Sequence, residues 1–259
     1  MNPNDIFRQE VAESIRKIGS NEELRGISQS WICQISPLRY SHNFEWLGRP
    51  IIQLPQDTVK LQEIIWATRP DLIIETGIAH GGSLILSASM LALLDLSDAV
   101  RSSKSLDPKI SNRKVLGVDI EIYQHNREAI EAHPMSSRIE MIEGSSIAEE
   151  VIERVKDVAK NYQRVMVCLD SNHTHDHVLA ELKAYAPLTS LGSYCVVMDT
   201  TIEDMPKEIF QNRPWGPGDN PKTAVWEFLK DNPQFKVDKS IDYKLLISVA
   251  LDGYLQRIA

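Results

Sequence analysis

Apolar residues along this chain follow two alternating patterns. From Asp71 onward, short and nearly continuous apolar runs predict strands that are buried on both faces. Five such runs are DLIIET, KVLGVDI, IEMIEG, RVMVCLD and SYCVVMD. The segments between them carry apolar residues at helical spacing, as in SLILSASMLALL and HVLAELKAYAPL. This alternation predicts βαβ units, and therefore an α/β fold with a mostly parallel sheet and helices on both faces.

The first 56 residues show a different pattern. Apolar residues recur at helical spacing over residues 7–18, which predicts an amphipathic helix. Residues 27–56 are aromatic and proline-bearing and lack a clear period, which is typical of an ordered arm or lid. We therefore divide the chain into an N-terminal helix with an aromatic arm or lid, residues 1–56, and a larger domain, residues 57–259.

The larger domain is expected to open with the helix DTVKLQEIIWAT, capped by Asp57 or Thr58. Polar segment 95–114 is predicted to be a surface insertion, and segment 203–222 a loop at the active site. The C-terminal segment FKVDKSIDYKLLISVALDGYLQRIA contains two strand-like runs with no helix between them. We therefore expect a seven-stranded sheet that closes with an antiparallel C-terminal strand.

Composition and charge limit the possible partners. The chain has 259 residues, 36 of them acidic and 28 basic, for a formal net charge of −8. That balance disfavours nucleic acid and an anionic membrane surface as partners. Three widely spaced cysteines indicate a reducing compartment, and we expect no run of membrane-spanning length. The sequence predicts a cytoplasmic protein.

The turn ETGIAHGGS follows the first predicted strand of the sheet, where ligands of open parallel sheets bind. It lacks the lysine of a nucleotide-phosphate loop and the Gly-x-Gly of the dinucleotide fingerprint. A carboxylate at Glu75 is awkward beside a pyrophosphate but suits an ammonium group, which S-adenosylmethionine carries. The alternative is a plain strand–helix turn with Glu75 as the cap. The candidate cofactor contacts in the turn are Glu75, Thr76, Gly77, His80, Gly81 and Ser83.

The next two strands add weaker cofactor candidates. Asp119 ends the second strand, where a carboxylate accepts both ribose hydroxyls of a nucleotide. Ser145 follows the third strand, near the position expected for the adenine. Serines that begin a helix are often only caps, so the role of Ser145 stays open.

Asp170 and Asp199 end the fourth and fifth predicted strands, so they are expected at neighbouring positions on the cofactor side. With the hydroxyl of Thr200 they would give an oxygen site for Mg²⁺ or Mn²⁺. The alternative is that both aspartates merely cap the following helices. Asp170 is also a candidate catalytic and cofactor contact. His173 could act as a general base, or it could be a surface histidine of a helix N-terminus.

A zinc site at His173, His175 and His177 is disfavoured. The HExxH pattern is absent because Thr174 follows His173, and no cysteine lies nearby in the sequence.

The motifs ETGIAHGGS, VDIE, LDSNHTHDHVLAEL and VVMDTTIED, in this order, resemble the class I S-adenosylmethionine-dependent methyltransferases. The flanks YSHNFEWLGRPIIQLPQD and RPWGPGDNPKTAVWEFL are similar to the cephalosporin hydroxylase (CmcI) and rhamnosyl O-methyltransferase family. The resemblance runs from about Tyr40 to the C-terminus. It implies a Rossmann-like core, S-adenosylmethionine with a divalent metal beside it, a homo-oligomer, and sugar or antibiotic hydroxyls as acceptors.

Carried over by position, the resemblance implies Asp170 and Asp199 as metal ligands, Thr200 as a possible third, and His173 as the base. One departure concerns Met198, because relatives can carry an acidic residue immediately before the fifth-strand aspartate. Thr200 could complete the site, Glu203 or Asp204 could reach in, or the metal could bind weakly. The hydroxylase name does not transfer, since a two-histidine, one-carboxylate iron triad is not evident.

The leading hypothesis is a metal-assisted O-methyltransferase that acts on a sugar or a glycosylated natural product. Residues 57–259 would then be the S-adenosylmethionine-binding catalytic domain. The side chains expected on the substrate side are Tyr40, His42, Trp46 and Trp215.

Three other functions stay open. A metal-dependent hydrolase using Asp170, His173 and Asp199 would leave Glu75 and Asp119 without roles. A non-catalytic cofactor-binding subunit is favoured only by Met198. An NAD-dependent oxidoreductase is disfavoured by the glycine spacing.

Overall fold

A seven-stranded sheet forms the centre of the computed structural model, which describes residues 2–259. Two short strands, β1 (Phe44–Trp46) and β2 (Arg49–Ile51), form a separate antiparallel hairpin. The strands of the large sheet are β3 (Leu72–Thr76), β4 (Lys114–Asp119), β5 (Ile139–Glu143), β6 (Val165–Leu169), β7 (Tyr194–Val197), β8 (Phe235–Val237) and β9 (Tyr254–Arg257).

The order of the strands across the large sheet is β5-β4-β3-β6-β7-β9-β8. The first five strands in this order are parallel, and β9 runs antiparallel to both of its neighbours, β7 and β8. The predicted mostly parallel seven-stranded sheet with an antiparallel C-terminal strand is therefore confirmed.

Helices cover both faces of the sheet. They are α1 (Pro3–Gly19), α2 (Glu22–Ile35), α3 (Pro55–Thr68), α4 (Gly82–Ser102), α5 (Gln124–Glu131), α6 (Glu149–Ala159), α7 (His175–Tyr185), α8 (Pro221–Asp231) and α9 (Lys239–Leu245). Successive strand residues point to opposite faces. In β3, Leu72 and Ile74 therefore pack with α6, α7 and α8, whereas Ile73 packs with α3, α4 and α5.

Helix α4 is longer than the sequence predicted. It extends through residues 95–102, which polarity assigned to a surface insertion. The acidic side chains of its last turns are paired: Asp98 with Arg113 at 2.8 Å, and Asp95 with Arg138 at 2.9 Å. These ion pairs explain why polar residues continue the helix, because the charges are satisfied by neighbouring loops.

The expectation that no run reaches membrane-spanning length was wrong for α4. By length and composition, this 21-residue helix is apolar enough to cross a bilayer. In the fold, ten of its residues are buried, among them Leu84, Leu91 and Leu94, which pack against the sheet. Packing in the protein core therefore accounts for the apolar composition of α4.

Helices α2 and α9 were not predicted. Helix α2 occupies the first part of the segment read as an aperiodic arm, and α9 lies between the two C-terminal strands. Each helix buries few side chains, Ser28 and Ile32 in α2 and Ile241 in α9. The apolar period that identifies a helix from sequence is therefore weak in both.

Helix α3 begins at Pro55, with Leu54 at its N-cap, so neither Asp57 nor Thr58 caps it as predicted. Asp57 is instead buried, and its carboxylate accepts hydrogen bonds from the hydroxyls of Ser248 and Tyr254. The Asp57 side chain therefore ties α3 to the C-terminal segment.

Candidate active site

The glycine turn after β3 lies against the end of β6. Gly77 has φ 89°, and a Cβ atom at this position would collide with the carbonyl oxygen of Asp170. The carboxylate of Asp119 accepts hydrogen bonds from the backbone N–H groups of Ile78 at 2.7 Å and Ala79 at 3.2 Å. The ends of β3, β4 and β6 therefore converge on this turn, as the topology of a parallel sheet requires.

Two residues that the sequence analysis missed hold the turn from outside. Arg49 donates to the carbonyl of His80, at 2.6 Å from Nη2, and to the side-chain oxygen of Asn126 at 3.0 Å. Asn126 is buried and donates to the carbonyl of Ala79 at 3.0 Å. Neither contact could be read from spacing, because the partners lie 31 to 77 residues apart.

Glu75 lies behind the cavity beside the turn. Its carboxylate is 4% exposed and accepts a hydrogen bond from the Ser83 hydroxyl, which lines that cavity. Burial raises the pKa of Glu75 to about 7, and the Ser83 hydrogen bond opposes this rise. Thr76 is fully buried, and its hydroxyl accepts from the Asp170 backbone N–H at 3.4 Å. The side chains of both predicted cofactor contacts thus support the cavity rather than forming its wall.

A neighbouring cavity of about 190 Å³ is lined by Asp119 and Ser145, as the sequence analysis expected, and also by His177. The Nε2 atom of His177 lies 3.0 Å from the Ser146 hydroxyl oxygen. Sequence reasoning considered His177 only as a zinc ligand. Its spacing on α7 does not reveal the contact, because Ser146 belongs to a loop 31 residues away.

Asp170, His173 and Asp199 form one cluster. One ligand atom from each lies within 4.8 Å of the others, and His173 Nε2 is 3.3 Å from Asp199 Oδ2. Asp199 has the left-handed backbone conformation, φ 55° and ψ 20°, which is costly for a non-glycine residue and is concentrated at functional sites. The predicted convergence of the two strand-end aspartates is therefore present.

The electrostatics of the cluster fit a divalent cation. Burial, and then the negative charges of Asp199 and Glu75, raise the pKa of Asp170 well above its ordinary range. A cation would relieve this repulsion, and two carboxylates are oxygen donors that suit Mg²⁺ or Mn²⁺. Asp170 and Asp199 would supply the oxygen ligands.

The structure does not bring Thr200 to the cluster, which corrects its assignment as a metal ligand. Its side chain is fully buried, and its hydroxyl donates to the carbonyl of Leu251 at 2.5 Å. The third side chain of the cluster is His173.

The other suggested ligands are also engaged elsewhere. Glu203 accepts a hydrogen bond from the backbone N–H of Gly218 at 2.7 Å, and Asp204 forms an ion pair with Lys222. Met198 is buried in the core on the α3–α4 side of the sheet.

A third cavity, of about 490 Å³, opens beside the cluster and is lined by His42 and Trp215 among others. The ring of Trp215 meets the His173 ring edge-on, at a centroid distance of 4.8 Å. Two of the four predicted substrate contacts therefore lie in this cavity. Arg39 and Arg213 also line it and were not singled out from the sequence.

The other two predicted substrate contacts lie elsewhere. Tyr40 packs edge-on against Trp31 and Phe44, at centroid distances of 5.3 and 5.2 Å. Trp46 donates to the Ser89 hydroxyl at 3.0 Å and lines a separate apolar groove of about 1160 Å³ beside α4. Both aromatic side chains are used for packing of the arm.

The three cavities beside the strand ends share walls. Asp170 lines the cavity of Asp119 and the one at the glycine turn, about 230 Å³ in volume. His173 and Asp199 line both the glycine-turn cavity and the larger one that contains Trp215. The cluster therefore lies at the junction of two potential ligand sites.

Residues 38–258 match the model of one protein family, Rhamnosyl O-methyltransferase/CmcI. Two curated relatives are both named rhamnosyl O-methyltransferase. The protein from Mycobacterium tuberculosis (strain ATCC 25618 / H37Rv) is 28% identical over 207 residues, which are 78% of this chain and 73% of the relative. The protein from Mycobacterium leprae (strain TN) is 26% identical over 213 residues, 82% of each chain.

Two solved structures of CmcI share the fold. An apo structure has a TM-score of 0.53 at 18% identity and covers 84% of this chain and 77% of its own. A CmcI structure with Mg and SAM has a TM-score of 0.51 at 18% identity and covers 84% and 78%. The predicted Rossmann-like methyltransferase fold is thereby confirmed. The match to the family confirms the predicted S-adenosylmethionine-dependent O-methyltransferase, and the chain belongs to the Rhamnosyl O-methyltransferase/CmcI family.

Proposed function

We propose that this chain transfers the methyl group of S-adenosylmethionine to a hydroxyl of a sugar or a glycosylated natural product, assisted by a divalent cation. The name of the curated relatives supports a saccharide acceptor. One observation carries the proposal, namely the position of Asp170, His173 and Asp199 where the cavities meet. Orientation of donor and acceptor supplies most of the catalysis in such a reaction, and this junction orients both.

The cofactor would occupy the two smaller cavities. Asp119 uses Oδ2 to hold the glycine turn, and Oδ1, which accepts a long hydrogen bond of 3.4 Å from the backbone N–H of Glu121, would also accept the ribose hydroxyls. Ser145 would lie beside the adenine, in the same cavity. Glu75 would supply the negative charge for the ammonium group from behind Ser83. Gly77, His80 and Gly81 would form the turn along the donor.

Asp170 and Asp199 would hold Mg²⁺ or Mn²⁺. Such a cation, when bound, supplies positive charge that lowers the pKa of a nearby hydroxyl. The mutual repulsion of the carboxylates and their oxygen donors supports this assignment.

His173 would take the proton of the acceptor hydroxyl on its imidazole ring. Asp199, whose Oδ2 atom lies 3.3 Å from Nε2 of His173, would hold the ring beside the acceptor. Trp215 meets the imidazole edge-on and limits its rotation. His42 and Trp215 would contact the acceptor in the cavity of about 490 Å³.

Residues 1–56 would serve as a lid over the catalytic domain, residues 57–259. His42 and Ile52 from this arm line the acceptor cavity, and the carbonyl of Pro50 lies against Gly82, where a Cβ atom would collide with it. The resemblance to the family further implies a homo-oligomer, which sedimentation of the purified protein would test.

The proposal is tested with the purified chain, S-adenosylmethionine and a panel of rhamnosides, by following S-adenosylhomocysteine formation. We expect turnover with at least one rhamnoside, and calorimetric binding of S-adenosylhomocysteine that Asp119→Ala weakens. Asp107→Ala, an exposed aspartate outside these cavities, is the matched control. A wild-type chain that does not bind S-adenosylhomocysteine contradicts the proposal.

A further inference from the structure

The acceptor cavity carries more positive than negative charge. Its walls contain two arginines, Arg39 and Arg213, and two histidines, His42 and His173. Among the described residues that line it, Asp199 is the only carboxylate. The chain as a whole has a formal net charge of −8, so this local excess of cations is opposite to the overall charge.

Unlike several other arginines of the fold, the two arginines of the cavity form no ion pair among the described residues. Among the described residues, neither guanidinium has a carboxylate oxygen within 4.0 Å. Arginines with such partners lie elsewhere and include Arg69, Arg113, Arg127 and Arg138. The donors of Arg39 and Arg213 are thus not taken up by an ion pair, and a ligand in the cavity can reach them.

The two arginines are placed at the site in different ways, Arg213 by a contact of its side chain and Arg39 by the conformation of its backbone. Arg213 lies over the ring of Trp215 at 5.3 Å, and the same ring meets His173. Arg39 separates two short helical turns and has the left-handed conformation, φ 55° and ψ 40°. A non-glycine residue in this conformation carries strain of the kind found at ligand sites.

The neighbouring histidine reflects the same concentration of charge. Burial, and then the positive charges of Arg39, His80 and Arg213, lower the pKa of His42 below its usual range. The two guanidinium groups and His42 therefore act on one another across the cavity. An anion between them would remove this repulsion.

We propose that the acceptor carries an oxyanion, a phosphate or a carboxylate, that Arg39 and Arg213 bind while the neighbouring hydroxyl reaches His173. The planar guanidinium group matches both anions, because two parallel N–H donors meet two oxygens. A divalent cation at Asp170 and Asp199 would neutralise the carboxylates of the cluster and leave the arginine charges for the acceptor. This inference rests on the proposed methyl transfer, since that function makes the cavity an acceptor site.

The test compares matched charged and neutral sugars by calorimetry on the protein with S-adenosylhomocysteine and Mg²⁺. One pair is rhamnose 1-phosphate and methyl rhamnoside, and the other is methyl galacturonoside and methyl galactoside. We expect the charged member of one pair to bind at least about tenfold more tightly, because charge-assisted hydrogen bonds favour it. The pair that shows the preference identifies phosphate or carboxylate. High salt should reduce the preference.

The double variant Arg39→Gln/Arg213→Gln should lose the preference, and each single variant should reduce it. Arg154→Gln, at an exposed arginine of α6 outside the cavity, should retain it. Affinity for S-adenosylhomocysteine should be unchanged in all four proteins, which shows that they are folded.

Three outcomes would overturn the inference. The charged and neutral sugars bind equally, none of the four sugars binds, or the double variant keeps the preference for the charged sugar. A wild-type chain without affinity for S-adenosylhomocysteine would instead remove the proposed function.

Discussion

The Nε2 atom of His173 lies 3.3 Å from the Oδ2 atom of Asp199, although the two residues follow different strands. The carboxyl ends of parallel strands meet at one edge of a sheet, and this contact is a consequence of that topology. At this distance the imidazole can accept a proton from the acceptor or serve as a third metal ligand. The two roles predict different properties of the same variant.

His173→Gln should lower kcat by roughly 10²- to 10⁴-fold if His173 is the general base. Mn²⁺ affinity should then be almost unchanged, because Asp170 and Asp199 are the proposed oxygen ligands. Single-turnover kinetics and Mn²⁺ titration of the same protein measure both quantities. His175→Gln is the control, since the His175 ring bonds to Thr223 of α8 instead. A loss of Mn²⁺ affinity in His173→Gln would assign the imidazole to the metal.

Asp170→Asn should weaken Mg²⁺ or Mn²⁺ binding by at least about tenfold, which corresponds to the loss of one charged ligand. In the absence of metal the same variant should be at least as stable as the wild type, because burial, and then the charges of Asp199 and Glu75, disfavour the ionised form of Asp170. Metal titration and thermal unfolding measure the two effects. Asp176→Asn, an exposed aspartate of α7, should change neither. EDTA should stop turnover of the wild type, and added metal should restore it.

Thr200→Val should reduce stability without reducing metal affinity. The substitution removes the hydrogen bond from the buried Thr200 side chain to the carbonyl of Leu251, and the loss of one such bond costs about 0.5–1.5 kcal/mol. Urea unfolding and Mn²⁺ titration of the variant separate the two quantities. If the metal affinity falls with this substitution, Thr200 is a metal ligand.

The affinity for S-adenosylhomocysteine should depend on pH through Glu75, whose pKa is raised to about 7 by burial. The ammonium group of the ligand favours the ionised carboxylate, so the pKa of Glu75 is lower in the complex than in the free protein. Affinity should therefore be complete above pH 7 and should fall by up to about tenfold per pH unit below it. Calorimetry across this range measures the dependence.

Substitutions of Glu75 and of its hydrogen-bond partner Ser83 test whether Glu75 causes the pH dependence. Glu75→Gln should bind more weakly at neutral pH and lose the dependence, because no carboxylate titrates. Ser83→Ala removes the hydrogen bond that lowers the pKa of Glu75, so the midpoint should move to higher pH. If the midpoint of the pH dependence is the same in Ser83→Ala as in the wild type, the group that titrates is not Glu75.

The strand-end carboxylates could be predicted because strand and helix alternation fixes where they meet. Glu75, Asp119, Asp170 and Asp199 each lie at or just beyond the end of a strand, and parallel topology brings these ends together without further information.

Residues outside this repeat could not be placed in the same way. Trp46 and Tyr40 belong to an arm whose packing depends on contacts with α2 and α4. The sequence therefore does not reveal whether these aromatic side chains face the substrate or the core. The contacts of Arg49 with the glycine turn are of the same kind. Thr200 follows Asp199 in sequence, but Asp199 has the left-handed conformation and the turn after it buries the Thr200 hydroxyl.

Asp57 should make the protein more stable at acidic pH than at neutral pH. Burial raises its pKa from 3.8 to about 6, although Ser248, Val249 and Tyr254 donate hydrogen bonds that oppose the rise. Between about pH 4 and pH 6 Asp57 is therefore protonated to a greater extent in the folded protein than in the unfolded chain. The contribution of Asp57 to the free energy of unfolding should fall by up to roughly 3 kcal/mol as pH rises through this window, and stay level above it.

Asp57→Asn isolates this contribution from that of other carboxylates. The amide is neutral at every pH, so the fall in stability that Asp57 causes between about pH 4 and pH 6 should be absent from the variant and should appear in the difference between the two proteins. The variant should also lose some stability at all pH values, because the carboxylate accepts from Ser248, Val249 and Tyr254 and the amide nitrogen that replaces one of its oxygens cannot accept. Urea unfolding of wild type, Asp57→Asn and the exposed-site control Asp107→Asn measures these differences. If Asp57→Asn keeps the pH dependence of the wild type, the buried carboxyl of Asp57 does not cause it.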